Sequence, residues 1–567
     1  MIVSELSHDL ERALVSRNIQ SGLDLLRANN EAISKVNSSS KCAGMLIGCL
    51  SKWIDMDFSL LGMLEVMLRD GFPKSDRHNL PFRDFAYLRF AEGVIRMYRG
   101  KVKSALRELT ASLCDAVELE DTDLQVASNY FIARCFRIEG HYDDAERHAI
   151  EAETLSGTDD DSREQQIAVI RLLMAWLKFQ KGNRASAEDL WDWVKIKLND
   201  SSDFVSKGNL WSLRARMDRR LGREHLGRFQ RAVQEYEKGG EAGLKHPNLA
   251  RVLANRALSN ILEAHRIIVK AKEEHDRQRV NKQKRSAEIS EQRHMIEHLH
   301  KKADKDLTRA ENIFRPLGMN RGLATCCLRR AFMYLEQTHG DSAREKVKEA
   351  YRLASEDQDH ITMGRAKVLE CMIEDQDYVE GVGDDPKHNA QLAHDCASEA
   401  VRLAQRTENP GLLARAYLAM GFTLLDSQND QQKAAEYLRL AEEVYDSGGL
   451  DFLWEHVKNL RARIASQRTM SAELSEWSEV PENRSFDNLE NLIYSLVWHH
   501  VGEKIGRVAE NLQVDPDTAK KHLVRAGCIP ADGAASVKKT KQRNPPHNRS
   551  AALLFDAKSS EEKASIA

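Results

Sequence analysis

The sequence is short of residues that break helices and of patterns that carry catalysis. Of its 567 residues only 11 are proline, and none lies between Phe82 and His246. Proline removes a backbone donor and clashes inside a helix, so a stretch of this length rich in Ala, Leu, Arg and Glu implies long runs of helix. No two of the nine cysteines (Cys42, Cys49, Cys114, Cys135, Cys326, Cys327, Cys371, Cys396 and Cys528) form a C-x-x-C pair, and their number is odd. Buried free thiols in a reducing compartment are expected. The longest apolar run, Cys42 to Leu50, is about half of the roughly 20 residues that cross a bilayer, and the first residues mix acids and bases where a signal peptide needs an unbroken apolar stretch. A cytoplasmic protein without membrane contact is the expectation. Phosphate-loop, G-x-G-x-x-G and H-E-x-x-H patterns are missing too, and no nucleophile, base and orienter can be assembled. The chain therefore reads as non-enzymatic, with no cofactor and no metal. His294, His298 and His300 lie near one another on a charged stretch and read as a solvated cluster.

What is present is charge and repetition. Charged residues make up 30% of the chain and apolar ones 42%, while the net charge is only -3, so any affinity for nucleic acid has to be local. The segment "NYFIARCFRIEGHYDDAERHAIEAETLSG" spaces Ala133, Phe136, Gly140, Tyr142, Ala145, Ala149 and Ala152 as two helices packed closely would need: small residues where the axes approach, an aromatic beside them. The spacing returns with Gly93, Gly100 and Ala105; with Ala175, Gly182, Ala187 and Trp191; and with Trp211, Ala215 and Gly222. It returns again with Ala331, Tyr334, Ala343 and Ala350, and with Gly421, Leu424, Ala434 and Ala441.

This pattern resembles the tetratricopeptide repeat, and six units exceed the three or so that a repeat array needs to bury a continuous core. The resemblance implies an all-α chain: a tetratricopeptide-like helical solenoid followed by a small trihelical helix-turn-helix domain. The expected boundaries are an N-terminal helical region at 1–80, repeats at 81–467, an acidic linker at 468–486, the helix-turn-helix at 487–530 and a basic tail at 531–567. Within the repeats, residues 271–304 hold 16 charged side chains of mixed sign and predict a charged helical arm. Its short heptad seam of Ile289, Ile296 and Ala303 is too brief for a coiled coil.

The resemblance also implies a concave groove lined by the first helix of each unit, at Tyr130, Arg134, Arg137, Trp176, Phe179, Arg216 and Arg219. Arginines interleaved with aromatics suit a peptide or protein with acidic groups or a free carboxylate. The alternative is that the aromatics pack between units and the arginines solvate the surface.

Near the end, "GRVAENLQVDPDTAKKHLVRAG" predicts two helices, Lys504 to Leu512 and Pro516 to Ala526, after a first at Leu489 to Val501. Leu492, Ile493, Leu496 and Val497 are the expected inward face of the first. Val508, Ala509 and Leu512 take that role in the second, and Ala519 and Leu523 in the third. Asp515 is placed to cap the third helix and Pro516 to begin it. The stretch resembles the Fis-type helix-turn-helix at Gly502, Val508, Ala509, Leu512, Val514, Thr518, Lys520, Lys521, Leu523 and Gly527. It departs at Gln513, which stands for the turn glycine, and at Asp515 and Pro516, which stand for polar and basic residues.

The resemblance implies duplex DNA as a partner, read in the major groove by Thr518, Lys520 and Lys521, with Arg525 following the backbone and Lys504 and Arg507 holding the flanking strand. A homodimer spanning two half-sites is the expected form. Glu473, Glu476, Glu479 and Glu482 of the linker are placed to compete with phosphate for the lysines. The tail "VKKTKQRNPPHNRS" adds five basic residues and no acid, fitting a flexible arm or a solubilising tail. The other reading of the whole chain is a protein-interaction scaffold or adaptor that does not bind DNA.

Overall fold

The computed structural model describes residues 3–157, 163–277, 282–382, 385–448, 453, 456–466, 493–499, 501–502 and 504–529. Among these residues every regular element is a helix. Five helices, α1 (Val3–Val15), α2 (Ile19–Ala28), α3 (Asn30–Ser34), α4 (Ala43–Trp53) and α5 (Ser59–Val66), precede the repeats. Helix pairs then follow: α6 (Phe82–Tyr98) with α7 (Val102–Glu118), α8 (Thr122–Glu139) with α9 (Tyr142–Ser156), α10 (Glu164–Gln180) with α11 (Arg184–Lys197), and α12 (Phe204–Arg220) with α13 (Leu226–Lys238). A short α14 (Gly240–Leu244) leads into α15 (Pro247–Arg277) and α16 (Lys282–Phe314). Next come α17 (Asn320–Glu336), α18 (Gly340–Glu356), α19 (His360–Glu380), α20 (Pro386–Ala404), α21 (Pro410–Asp426) and α22 (Gln431–Gly448), then α23 (456–466), α24 (493–499), α25 (Ile505–Asn511) and α26 (Pro516–Arg525). The architecture is an all-α, tetratricopeptide-like solenoid. The acidic linker at 468–486 and the basic tail at 531–567 lie outside the described residues.

The alanines that suggested the repeat stand at its helix crossings. Ala133, Ala145, Ala149 and Ala152 are fully buried in one cluster with Tyr142, Ile170 and Leu177, so α8, α9 and α10 share a core. Helix α8 ends at Gly140 with φ 91°, a left-handed conformation that costs glycine nothing. At the ends of α17 and α21 the left-handed residue is Thr338 (φ 63°) and Asn429 (φ 54°). There the backbone keeps the turn although the sequence has lost its glycine, which is why these units match the pattern less well.

Two compact units emerge. The first comprises residues 1–326, 353–359 and 407–409; the second comprises 327–352, 360–406 and 410–567. In the first, the N-terminal helices are part of the solenoid: α4 packs on α6, and α1 touches α10. Arg17 ties this region to α12 through a buried ion pair with Asp203, the residue that caps α12. Helices α15 and α16, of 31 and 33 residues, are roughly 46 and 50 Å long at about 1.5 Å per residue, nearly twice the length of the other repeat helices. They pack against each other. Of the expected seam, Ile296 is half-buried and Ala303 fully buried, while Ile289 lies outside the described side chains.

Gly208 shows how tightly these helices cross. A Cβ there would stand 2.3 Å from the ring of Tyr236, which is fully buried and donates its hydroxyl to Asn209 at 2.8 Å. Alanine gains about 1 kcal/mol of helix propensity over glycine, whereas overpacking a buried ring costs about 1–3 kcal/mol. Gly208→Ala is therefore expected to lower the thermal midpoint by a few degrees, while Gly62→Ala, where a Cβ meets nothing within 4 Å, raises it slightly or leaves it unchanged.

Candidate functional site

Two places hold the expected site residues, one in each unit. In the first unit, α8, α10 and α12 bring six of the seven groove residues into ring and guanidinium contacts. Trp176 lies between two guanidiniums, Arg137 at 5.0 Å and Arg216 at 5.8 Å from its ring centre. Arg216 also stands 5.3 Å from Phe179, and Arg134 is 5.6 Å from Tyr130. The spacing along the helices produced these contacts, as residues three and four apart share a face.

Two members depart from the expected role. Arg219 is 3% exposed and donates to the Asn255 carbonyl at 3.2 Å, with its guanidinium over Phe229. It joins α12 to α15 and α13 instead of facing a groove. Arg134 belongs to an internal pair, since both its terminal nitrogens bond the carboxylate of Asp55, which also accepts from the Tyr98 hydroxyl. Burial pushes the Asp55 carboxyl up, but the Arg134 charge and these hydrogen bonds outweigh it and hold the group below its ordinary value. His246 reaches the Asp55 backbone oxygen at 2.6 Å, and burial holds it near 4, so the ring is neutral at pH 7.

Sequence reasoning missed Asp55, Arg251 and Arg321, which lie roughly eighty to two hundred residues from the groove helix they approach. No local spacing marks them. Arg321 pairs with Asp359 at 3.0 Å and donates to the Ile138 carbonyl at 3.1 Å, next to Arg137. Arg251 donates to the neutral amide of Asn248.

In the second unit, α24, α25 and α26 enclose a small core of Tyr494, Trp498, Val501, Val508, Ala509, Ala519 and Leu523. The second and third helices fall where the sequence put them. Asp515 accepts from the Thr518 backbone N–H at 2.9 Å, and Pro516 occupies the first turn. Gln513 takes φ 54°, the left-handed turn that glycine would have supplied. The first helix is rotated from expectation: Tyr494, Val497, Trp498 and Val501 face the core, Leu496 is half-buried and Ile493 is exposed. Leu492 lies outside the described residues. Aromatic rings at 494 and 498 fill the gap that smaller aliphatics would leave, and Tyr494 stacks on His522 with ring centres 4.5 Å apart.

Among the cations the outcome divides. Lys520, Lys521 and Arg525 are exposed, and Thr518 is half-buried with its hydroxyl donating to Asp515 at 2.5 Å. Lys504 and Arg507, expected to hold a DNA strand, are instead 5% and 1% exposed. Lys504 pairs with Asp426 at the end of α21, a carboxylate shared with Arg463, and Arg507 donates to the Leu425 carbonyl. Tyr378 donates its hydroxyl to Glu510. Gly506 lies so close to α19 that a Cβ would stand 2.1 Å from the Tyr378 carbonyl. This helix offers its two cations to its own solenoid, because a carboxylate and a helix end meet it there.

Burial lowers Lys504 to about 7 against the attraction of Asp426, helped by repulsion from Arg463 and Arg507. Folding thus takes its pKa down from 10.5. Between these values the folded chain binds fewer protons than the unfolded one, so this lysine's contribution to stability rises with pH across that window. Lys504→Met should flatten the rise in an unfolding series from pH 7 to 10. Asp426→Ala removes the carboxylate that Lys504 and Arg463 share and is expected to cost about 3–5 kcal/mol near pH 6, less at pH 9 where Lys504 can shed its proton. Hydrogen exchange in 505–511 should quicken in the same variant.

No protein-family model and no curated protein matches the chain. Among solved structures it is similar to a signal transduction ATPase with numerous domains carrying a tetratricopeptide repeat sensor, from Pyrococcus horikoshii, at 14% identity and TM-score 0.36, over 72% of this chain and 54% of that one. The chain thus spans about half the length of that protein. A second similarity is to the APC/C hetero-tetramer Cut9–Hcn1, at 12% identity and TM-score 0.25, over 92% and 96% of the two chains. These likenesses concern the helical-repeat fold alone.

Proposed function

We propose that the chain is a non-catalytic, cytoplasmic, DNA-binding regulator of transcription whose solenoid docks a peptide or protein. The observation that carries this reading is the accessible cationic side of α26. At about 100° per residue, Lys521 projects opposite the stripe of Ala519 and Leu523 that packs inward, with Thr518 and Arg525 near it and Lys520 on the flank. A capped helix whose outer side bears ammonium and guanidinium groups is chemically suited to a phosphate backbone. The three-helix order with a tight turn at Gln513 resembles the Fis-type helix-turn-helix, and the resemblance implies major-groove insertion of α26. The Thr518 hydroxyl is taken up by Asp515, the cap of the same helix, so affinity rests on Lys520, Lys521 and Arg525, and base discrimination is weak. One such module binds weakly, and a homodimer across two half-sites supplies the remainder.

The second reading is an adaptor in which the three-helix unit is one more protein-docking surface. The burial of Lys504 and Arg507 favours it, since it removes two of the six groups assigned to DNA. Binding of the full-length chain to duplex DNA across a salt series separates the two. The first reading predicts a linear fall of log affinity with log salt, and a slope reduced by about 2 in the Lys520→Ala, Lys521→Ala double variant. An absence of binding at 50 mM salt, or a slope unmoved by the double change, leaves the adaptor.

A further inference from the structure

The three-helix unit of α24, α25 and α26 meets the solenoid at two places. Along α25, Lys504 pairs with Asp426, Arg507 donates to the Leu425 carbonyl, and Glu510 accepts the Tyr378 hydroxyl. Gly506 makes room for this seat. Beyond its own helix, the nearest neighbours of a Cβ there would be the Tyr378 carbonyl oxygen at 2.1 Å, the carbon of that carbonyl at 3.3 Å and the Gly381 nitrogen at 3.9 Å, all of them solenoid atoms. The second place is the start of α26. A Cβ on Gly381, which takes φ 64° just past the end of α19, would stand 3.3 Å from Pro516 Cβ and 4.0 Å from Ile505 Cγ2. The chain leaving α19 therefore runs against the first residue of α26.

Both contacts bear on a duplex. A recognition helix enters the major groove by its N-terminal residues. The groove is about 12 Å wide and a helix with its side chains is about 10–12 Å across, so the groove holds the helix and no further backbone beside its tip. With Gly381 at Pro516, α26 cannot seat its leading turn. Lys504 and Arg507 are occupied as well, since the Asp426 carboxylate and the Leu425 carbonyl take the donors that phosphates would take. Lys520, Lys521 and Arg525, further along α26, stay exposed and reach phosphates with the seat closed.

We propose that the seat formed by α19, Gly381 and the end of α21 is an autoinhibitory contact. Closed, it confines α26 to the phosphate backbone; open, it frees the leading turn of α26 for the groove and Lys504 and Arg507 for the flanking strand. This rests on the reading of α26 as a DNA-binding helix and adds how that helix is regulated. A buried pair is expensive to break, so DNA held by the exposed cations alone leaves the seat closed.

The test uses the full-length chain and two substitutions that open the seat by different routes. Gly506→Ala sets a methyl against the Tyr378 carbonyl and alters no charge, whereas Asp426→Ala removes the acid that Lys504 and Arg463 share. Gly62→Ala, where a Cβ meets nothing within 4 Å, is the control. Acylation of Lys504 reads whether the seat is open, hydrogen exchange over 516–525 reads whether α26 is still folded, and titration with duplex DNA across a salt series reads affinity. In both variants Lys504 is expected to acylate readily while 516–525 stays protected. Their affinity for DNA should rise at least tenfold over the parent, with a salt slope steeper by about 2, one for each cation released. The control should match the parent in every readout. An open seat without a gain in affinity, a Lys504 that stays unreactive in both variants, or protection of 516–525 lost in both, as a seat needed for folding would give, overturns the proposal. If the parent binds DNA and the open variants bind no better, the assignment of α26 stands and this inference falls; if no form binds DNA, both fall.

Discussion

Close approach of helix backbones at small residues is the constraint from which the rest follows. Ala133, Ala145 and Ala149 meet in one buried cluster, and where Gly208 admits the ring of Tyr236 not even a methyl fits between the axes. Such contacts set the spacing of successive helices, and that spacing puts Arg137, Trp176 and Arg216 of three different helices side by side. The same constraint acts at the other end of the chain. Gly506 lets α25 lie against the Tyr378 carbonyl, which fixes the three-helix unit to α19 and decides which of its cations remain available.

Charge in this protein is sorted by what the packing places beside it. Arg17 with Asp203, Arg134 with Asp55 and Lys504 with Asp426 are buried pairs joining distant parts of the chain, and each would be expensive to break. Arg137 is unlike these, for its guanidinium lies over Trp176 and no carboxylate among the described residues pairs with it. Lys520, Lys521 and Arg525 form a third class, exposed on one helix and free of cost to the fold. A net charge of -3 conceals all three arrangements, because opposite charges far apart in sequence cancel in the sum.

How much of this could be read from residues alone depended on distance along the chain. Helix pairs were legible where glycine or alanine marks the crossing and the turn, as at Gly140 and Ala145, and faded where Thr338 and Asn429 adopt the glycine's conformation without its identity. The caps of α26 were legible because Asp515, Pro516 and Thr518 are neighbours. Lys504 was read as a DNA contact because local sequence shows a cation on an amphipathic helix and cannot show Asp426, 78 residues earlier, waiting for it. The same limit hid Asp55 from Arg134. For α24 the error was one of register: two large aromatics, Tyr494 and Trp498, won the inward face over the aliphatics beside them because they bury more surface.

The proposal that α26 presents its lysines to a polyanion stands beside the burial of the α25 cations, Lys504 and Arg507, against the solenoid. Lysine acylation footprinting of the full-length chain, with and without duplex DNA, tests it most directly. The account predicts that Lys520 and Lys521 are acylated readily in the free protein and are protected by DNA, and that Lys504 reacts in neither state. Equal reactivity of Lys520 and Lys521 with and without DNA, or ready acylation of Lys504 in the folded chain, would contradict it.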